Sequence, residues 1–229
     1  MSAREYKKLL RVNLGLTDYR DAWELQRRLV VARASDKIPD CLLVTEHTPV
    51  ITMGRGTSKD NLLVSEEELR ARGIALYEVE RGGDITFHGP GQVVLYPIID
   101  LRDRGKDVRQ YLRDLEASVV DALGQLGLKA AVKEGLTGVW VNDRKLAAIG
   151  VAVSRWVTYH GVAVNVDTSL DYFDLIHPCG IKEYRVGSIS GELGRGVALK
   201  EVTDLLAWCF TWRFGYKVEV LENLRELKF

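Results

Sequence analysis

The stretch His177-Pro178-Cys179-Gly180-Ile181 puts a thiol between a proline and a glycine. A cysteine kept for packing normally lies on an apolar helix or strand face, as Cys209 does in Leu206-Ala207-Trp208-Cys209-Phe210, so the loop setting of Cys179 suits a reactive thiol. The chemistry of such a group is nucleophilic: its thiolate attacks an acyl carbon and then carries the acyl group as a thioester. Spacing alone leaves three roles open for Cys179, namely nucleophile, buried filler, or metal ligand together with His177. No second local pair completes a tetrahedral zinc set, which weighs against the metal role.

Two further stretches carry groups that can act on such a thiol. In Asp143-Arg144-Lys145-Leu146-Ala147-Ala148-Ile149-Gly150 a lysine stands at the mouth of a strand whose next residues are small, leaving room for an acyl chain or a pantetheine arm. Taken alone, Lys145 reads first as a solvated hairpin tip. Arg81-Gly82-Gly83-Asp84-Ile85-Thr86-Phe87-His88-Gly89-Pro90-Gly91-Gln92 packs four glycines, a proline, a cation and an imidazole into one run. Glycines admit positive φ and close backbone approach, so this loop can turn several N–H donors toward one oxygen. Its plain alternative is a hairpin turn with a satisfied histidine. No GxxxxGK[ST] occurs, and Gly54 to Gly56 lacks the third glycine of a dinucleotide fingerprint.

Alternating strands and helices must hold these groups. From Tyr19 to Ala34, Ala22, Leu25, Leu29 and Ala32 recur at helical spacing behind a candidate N-cap, Asp18. Cys41 to Thr45 and Val50 to Met53 read as strands, and Ser65 with Glu68 opens a short capped helix. The Val93 to Ile99 run is a strand. A helix follows in which Val108, Tyr111, Leu112, Leu115, Val119, Ala122 and Leu126 share a face, and Gly127 stops it. Strands are expected at Gly138 to Asn142, Leu146 to Val153 and Thr158 to Val166, the last with Val162, Val164 and Val166 on one face and Ala163 and Asn165 on the other. A helix from about Lys200 to Trp212 and a strand from Tyr216 to Leu221 close the chain. The fold class is α/β or α+β, with helices covering a mixed, largely antiparallel sheet.

At 229 residues, with no internal repeat or linker, the whole of 1–229 reads as one domain. Lys plus Arg equals Asp plus Glu at 32 each, so no global field favours nucleic acid. No run approaches the roughly 20 apolar residues of a membrane helix. The charged N-terminus lacks the apolar core of a secretory signal, and three widely spaced cysteines make no disulfide framework. Reduced thiols in the cytoplasm are the simplest reading.

The combination of Arg81-Gly82-Gly83, Thr86, His88-Gly89-Pro90-Gly91-Gln92, Lys145, Ala148-Ile149-Gly150, His160-Gly161, Asn165-Val166 and Pro178-Cys179-Gly180 closely resembles the lipoyl(octanoyl) transferases, from about Leu10 to Phe210. The resemblance implies the fold of the biotin and lipoate protein ligases. It also implies transfer of an octanoyl group from octanoyl-acyl carrier protein to a lysine of lipoyl domains, those of 2-oxoacid dehydrogenase complexes and the glycine cleavage H protein. By carry-over, Cys179 is the acyl-accepting nucleophile and Lys145 lowers its pKa. Arg81, Gly82, Gly83, Asp84, Ile85, Thr86, Phe87 and His88, with Ala148, Ile149, Gly150, Gly161, Val162 and Ala163, line the substrate pocket. No cofactor or metal is implied. The competing readings are an ATP-dependent lipoate-protein ligase, an acyl-thioester hydrolase using His88 or His160 as base, and a non-catalytic module that binds the acyl carrier.

Overall fold

The computed structural model describes residues 6–177, 185–222 and 226. Helix α1 (Tyr19–Ala34) starts where expected, because the Asp18 carboxylate accepts the Arg20 N–H at 2.8 Å. Its buried positions, Ala22, Gln26, Leu29 and Val30, fall on one stripe, and the stripe packs on a sheet. Before it runs β1 (Lys7–Thr17); after it come β2 (Asp40–His47) and β3 (Val50–Met53). Ser65 caps α2 (Glu66–Ala71) by accepting the Glu68 N–H, but Glu68 turns its carboxylate to Arg72 instead of closing the capping box.

The chain continues through β4 (Ala75–Glu78), β5 (Ile85–His88), β6 (Gln92–Ile98), α3 (Val108–Gln125), β7 (Ala130–Lys133), β8 (Leu136–Val141), β9 (Arg144–Ser154) and β10 (Val157–Asn165). Then follow β11 (Arg185–Val186), α4 (Ile189–Leu193), α5 (Leu199–Phe214) and β12 (Tyr216–Leu221). The large sheet has the order β12-β1-β2-β6-β10-β9-β8-β7, with β11 beside β9. From β2 to β7 every neighbour is antiparallel; β1 runs parallel to both β2 and β12. A second sheet, β4-β3-β5, stands apart from it.

Both faces of the large sheet are covered. Leu42, Val44, Val162 and Val164 belong to the core under α3 and α5, whereas Cys41, Leu43, Val94 and Ala163 belong to the core under α1. That is why β2 reads as an unbroken apolar run rather than an alternation. A third cluster, with Ile51, Phe87, Phe173 and Leu175, joins the small sheet to the turn at Leu170–Leu175. Among the described residues no helix is long and apolar enough to cross a membrane.

Candidate active site

A break in the alternation of β9 decides where Lys145 points. Val139 of β8 pairs with Ala147 but Trp140 pairs with Lys145, so β9 carries one extra residue, and Leu146 and Ala147 both enter the α3/α5 core. Such a bulge resets the two-residue period. Lys145 and Ala148, three apart, therefore border the same cleft. The lysine stem crosses Gly138, where an added Cβ would lie 2.5 Å from Lys145 Cε, and its Nζ sits 5.5 Å from the centre of the Trp140 ring. Gly138 is held in turn by Glu116 of α3, whose fully buried carboxylate accepts the Gly138 N–H at 3.0 Å and the Arg113 guanidinium at 2.6 Å.

The floor of the cleft is made of small residues. Ala148 pairs with Ala163 and Gly150 with Gly161 across β9 and β10, and Val94 and Tyr96 of β6 continue the surface. A Cβ on Gly161 would run into the Leu95 carbonyl, so no other residue type fits there without moving the strands. Ile149 and Val162 border the cleft too, although their side chains belong to the α3/α5 core. Lys145 and Gly150 are five residues apart, about 16 Å of strand at ~3.3 Å per residue.

On the opposite wall the imidazoles are neutral. Burial pushes the pKa of His47 down to about 4 and those of His88 and His160 to about 3. For His88, the nearby His47, Arg81 and His160 lower it further, against a raising bond to Gln92; for His160, Arg81 adds to burial. His88 Nδ1 donates to Gln92 Oε1 at 2.7 Å, since the Gln92 amide nitrogen is spent on the Phe87 carbonyl and Asn165 Oδ1. Asn165 passes the chain to the Gly187 carbonyl at 3.0 Å. Tyr19 stacks on His88, with ring centres 5.9 Å apart, and Tyr96 O–H donates to His47 Nε2 at 2.7 Å. His160 has φ +56° inside β10, a left-handed conformation held by its N–H donating to Gln26 Oε1 at 2.7 Å. Its Nε2 lies 3.7 Å from Glu80, too far for a hydrogen bond, and a ring kept neutral by burial makes no ion pair there.

Residues 18–211 match the lipoyl protein ligase A/B catalytic domain. The chain belongs to this family. It is 48% identical over 221 residues to an octanoyltransferase of Koribacter versatilis (strain Ellin345), covering 94% of this chain and 88% of that protein. With an octanoyltransferase of Rubrobacter xylanophilus the identity is 53% over 190 residues, covering 82% and 85%. Among solved structures, lipoate-protein ligase A bound with ATP superposes with a TM-score of 0.72 over 97% of this chain and 92% of that one; at 17% identity this likeness speaks to the fold alone.

In this lipoyl protein ligase A/B family member, Arg81, Gly83, Asp84, Ile85, Thr86 and His88 come together around the cleft with Lys145, Ala148, Gly150, Gly161 and Ala163. Two expected members do not. Phe87 is fully buried on the far side of β5, stacked on Tyr172 at 4.4 Å, because strand alternation turns it away from Thr86 and His88. Gly82 lies behind Gly150, its N–H donating to the Val151 carbonyl at 2.9 Å. The Arg81 guanidinium is buried and grips Thr52, through the carbonyl at 2.7 Å and the hydroxyl at 2.9 Å. The run expected as a loop contains a strand, β5.

Sequence reasoning left Tyr19, Gln92, Val94, Tyr96, Asn165, Phe173 and Val186 out of the pocket. Gln92 and Asn165 stand in the motifs quoted above; Val94 and Tyr96 sit in an apolar strand whose facing only the sheet register reveals, and Tyr19, Phe173 and Val186 stand in mixed polar stretches that only the fold brings to the cleft. Cys179 lies outside the described residues. On one side of it His177 N–H donates to the Asn61 carbonyl at 2.7 Å; on the other, Val186 pairs with Lys145 and Gly187 N–H donates to the Lys145 carbonyl at 3.0 Å.

Proposed function

We propose that this protein is an octanoyltransferase of protein lipoylation. It takes octanoyl from octanoyl-acyl carrier protein, holds it as a thioester on Cys179, and passes it in the cytoplasm to a lysine of lipoyl domains, those of 2-oxoacid dehydrogenases and the glycine cleavage H protein. The observation that carries the reading is the placement of Lys145 at one end of a small-residue cleft, paired with the strand that follows the Cys179 stretch. The similarity to octanoyltransferases over most of the chain supports the acyl group.

A free thiol with a pKa near ~8.5 is only a few per cent thiolate at neutral pH, and a neighbouring ammonium raises that fraction. The Cys179 thiolate attacks the carrier thioester, its new C–S bond replaces the old one, and the carrier leaves as a thiol by taking a proton from the Lys145 ammonium, which leaves Lys145 neutral for the next step. This exchange is close to thermoneutral, whereas amide formation in the next step is downhill. The acceptor lysine is mostly protonated, and its neutral form costs roughly 4–5 kcal/mol at pH 7. In the second step the acceptor amine attacks the Cys179 thioester, Lys145 takes its proton, and the thiolate leaves. Apolar contact along Val94, Ala148 and Ala163 favours the chain by about 0.8 kcal/mol per methylene.

Imidazoles with pKa values pushed down to about 3 are poor general bases, which disfavours the hydrolase built on His88 or His160. The test of the reaction is transfer from octanoyl-acyl carrier protein to an apo lipoyl domain without nucleotide, read as octanoyl-lysine by mass spectrometry. Transfer without ATP is expected. A strict ATP requirement, or free octanoate as the product with the acceptor left unmodified, overturns the reading.

A further inference from the structure

The Gly54–Gly56 pair begins a strap that joins the Gly-rich wall of the cleft to the backbone at 175–177. At its start the N–H groups of Gly54, Arg55 and Gly56 donate to the carbonyls of Asp84, Arg81 and Gly83 at 3.3, 3.0 and 3.0 Å. Gly54 has to lack a side chain, since a Cβ would come within 2.5 Å of the Gly83 carbonyl. At its end Leu62 bridges Ile176, Leu63 N–H donates to the Leu175 carbonyl at 2.9 Å, and the Asn61 carbonyl accepts the His177 N–H at 2.7 Å.

Asn61 joins both ends in one residue. Its Nδ2 donates to Asp84 Oδ2 at 2.7 Å, while Asp84 Oδ1 accepts the Ile85 N–H at 2.6 Å. Asp84 borders the cleft. A carboxylate fixed through both oxygens holds the Gly-rich wall, and the Asn61 carbonyl holds the backbone at His177, two residues before Cys179 in the sequence. The bond between them is charge-assisted and only part-buried, so it sets geometry without supporting a core.

We propose that Asn61 is a positioning residue for acyl transfer: it fixes the distance between the Gly-rich wall at Asp84 and the chain entering the Cys179 stretch. The proposal rests on the Cys179 thioester reading. Asn61→Asp sets two carboxylates face to face and removes the donor. Below about pH 5 one of such a pair takes up a proton and can donate again. The double variant Asn61→Asp/Asp84→Asn restores one donor and one acceptor with their roles exchanged, and leaves an oxygen for the Ile85 N–H.

The experiment measures octanoyl transfer by wild type, Asn61→Asp and the double variant from pH 5 to 8, with thermal unfolding of each. Asn61→Asp is expected to lose about tenfold in kcat at pH 7.5, to regain it relative to wild type as the pH falls, and to unfold at nearly the wild-type temperature. The double variant is expected to recover part of that loss, turning over at least about threefold faster than Asn61→Asp at pH 7.5. A merely structural role would lower the unfolding temperature and give no relative recovery in acid. Wild-type turnover of Asn61→Asp at pH 7.5, or a loss that neither acid nor the exchanged pair restores, overturns the proposal. Acyl-adduct formation on wild type and on Cys179→Ala reads the underlying thioester separately: an adduct on wild type with unimpaired Asn61→Asp removes only the positioning role, whereas no adduct on wild type removes both.

Discussion

The two walls of the cleft solve opposite problems. On the β8/β9 side a bulge turns Lys145 into the cleft over the bare Cα of Gly138, half-buried and paired with the returning chain at Val186. On the other side His88 and His160 border the cleft, with His47 edge-on to His88 and off the cleft surface; all three are packed among Tyr19 and Tyr96 and kept neutral by burial. The residue type most often linked with proton transfer thus serves here as a polar, uncharged liner, and the cation stands where the chain returns from the cysteine stretch. Residue type is a weak guide to role until burial and hydrogen bonding are known.

Breaking the lysine wall carries the largest expected effect. Lys145→Met should cut octanoyl transfer by about 10²–10⁴-fold with little change in thermal stability, and should raise the pH midpoint of Cys179 alkylation. Steady-state transfer and iodoacetamide kinetics check both, and an unmoved alkylation midpoint removes Lys145 from thiol activation.

The imidazole wall should instead speak through stability. The folded-state pKa values of His47, His88 and His160 lie below the unfolded value near 6.5, so the unfolded chain binds more protons as the pH falls. Stability is therefore flat above about pH 6.5 on this account and is lost between there and pH 4, by about 1.4 kcal/mol per pH unit for each histidine. Urea unfolding across that range measures the slope, and His47→Gln should reduce it by one proton's share. A slope unchanged by that substitution would mean that His47 titrates alike in both states.

Phe87 gives the smallest effect and sharpens the contrast between cleft and core. Phe87→Leu should cost about 1–2 kcal/mol of stability and leave the KM for the acyl donor within about twofold. A selective rise in KM would put the ring back among the substrate contacts.

Elements with local signals were legible in the sequence. Asp18 and the apolar stripe defined α1 to the residue, and Gly127, with φ +85°, ended α3 one residue past Leu126. The strand β1 was not, because its charged residues hide a pairing with β2 and β12 that involves a partner some 200 positions away. In the site, the glycines and Lys145 stood out by chemistry. The bulge that aims the lysine depends on the register between β8 and β9, and Gly138, Glu116 and Tyr19 matter only through what lies across from them in space. Phe87 was misread because a motif is contiguous while a strand has two faces.

The central claim, a covalent octanoyl thioester on Cys179 at the Lys145 end of the cleft, is tested most directly by intact-mass analysis of the protein after incubation with octanoyl-acyl carrier protein and no acceptor. The account predicts the addition of one octanoyl group that peptide mapping assigns to Cys179, that hydroxylamine removes, and that an apo lipoyl domain discharges. A wild-type protein that stays unlabelled while still transferring octanoyl to the acceptor would contradict it.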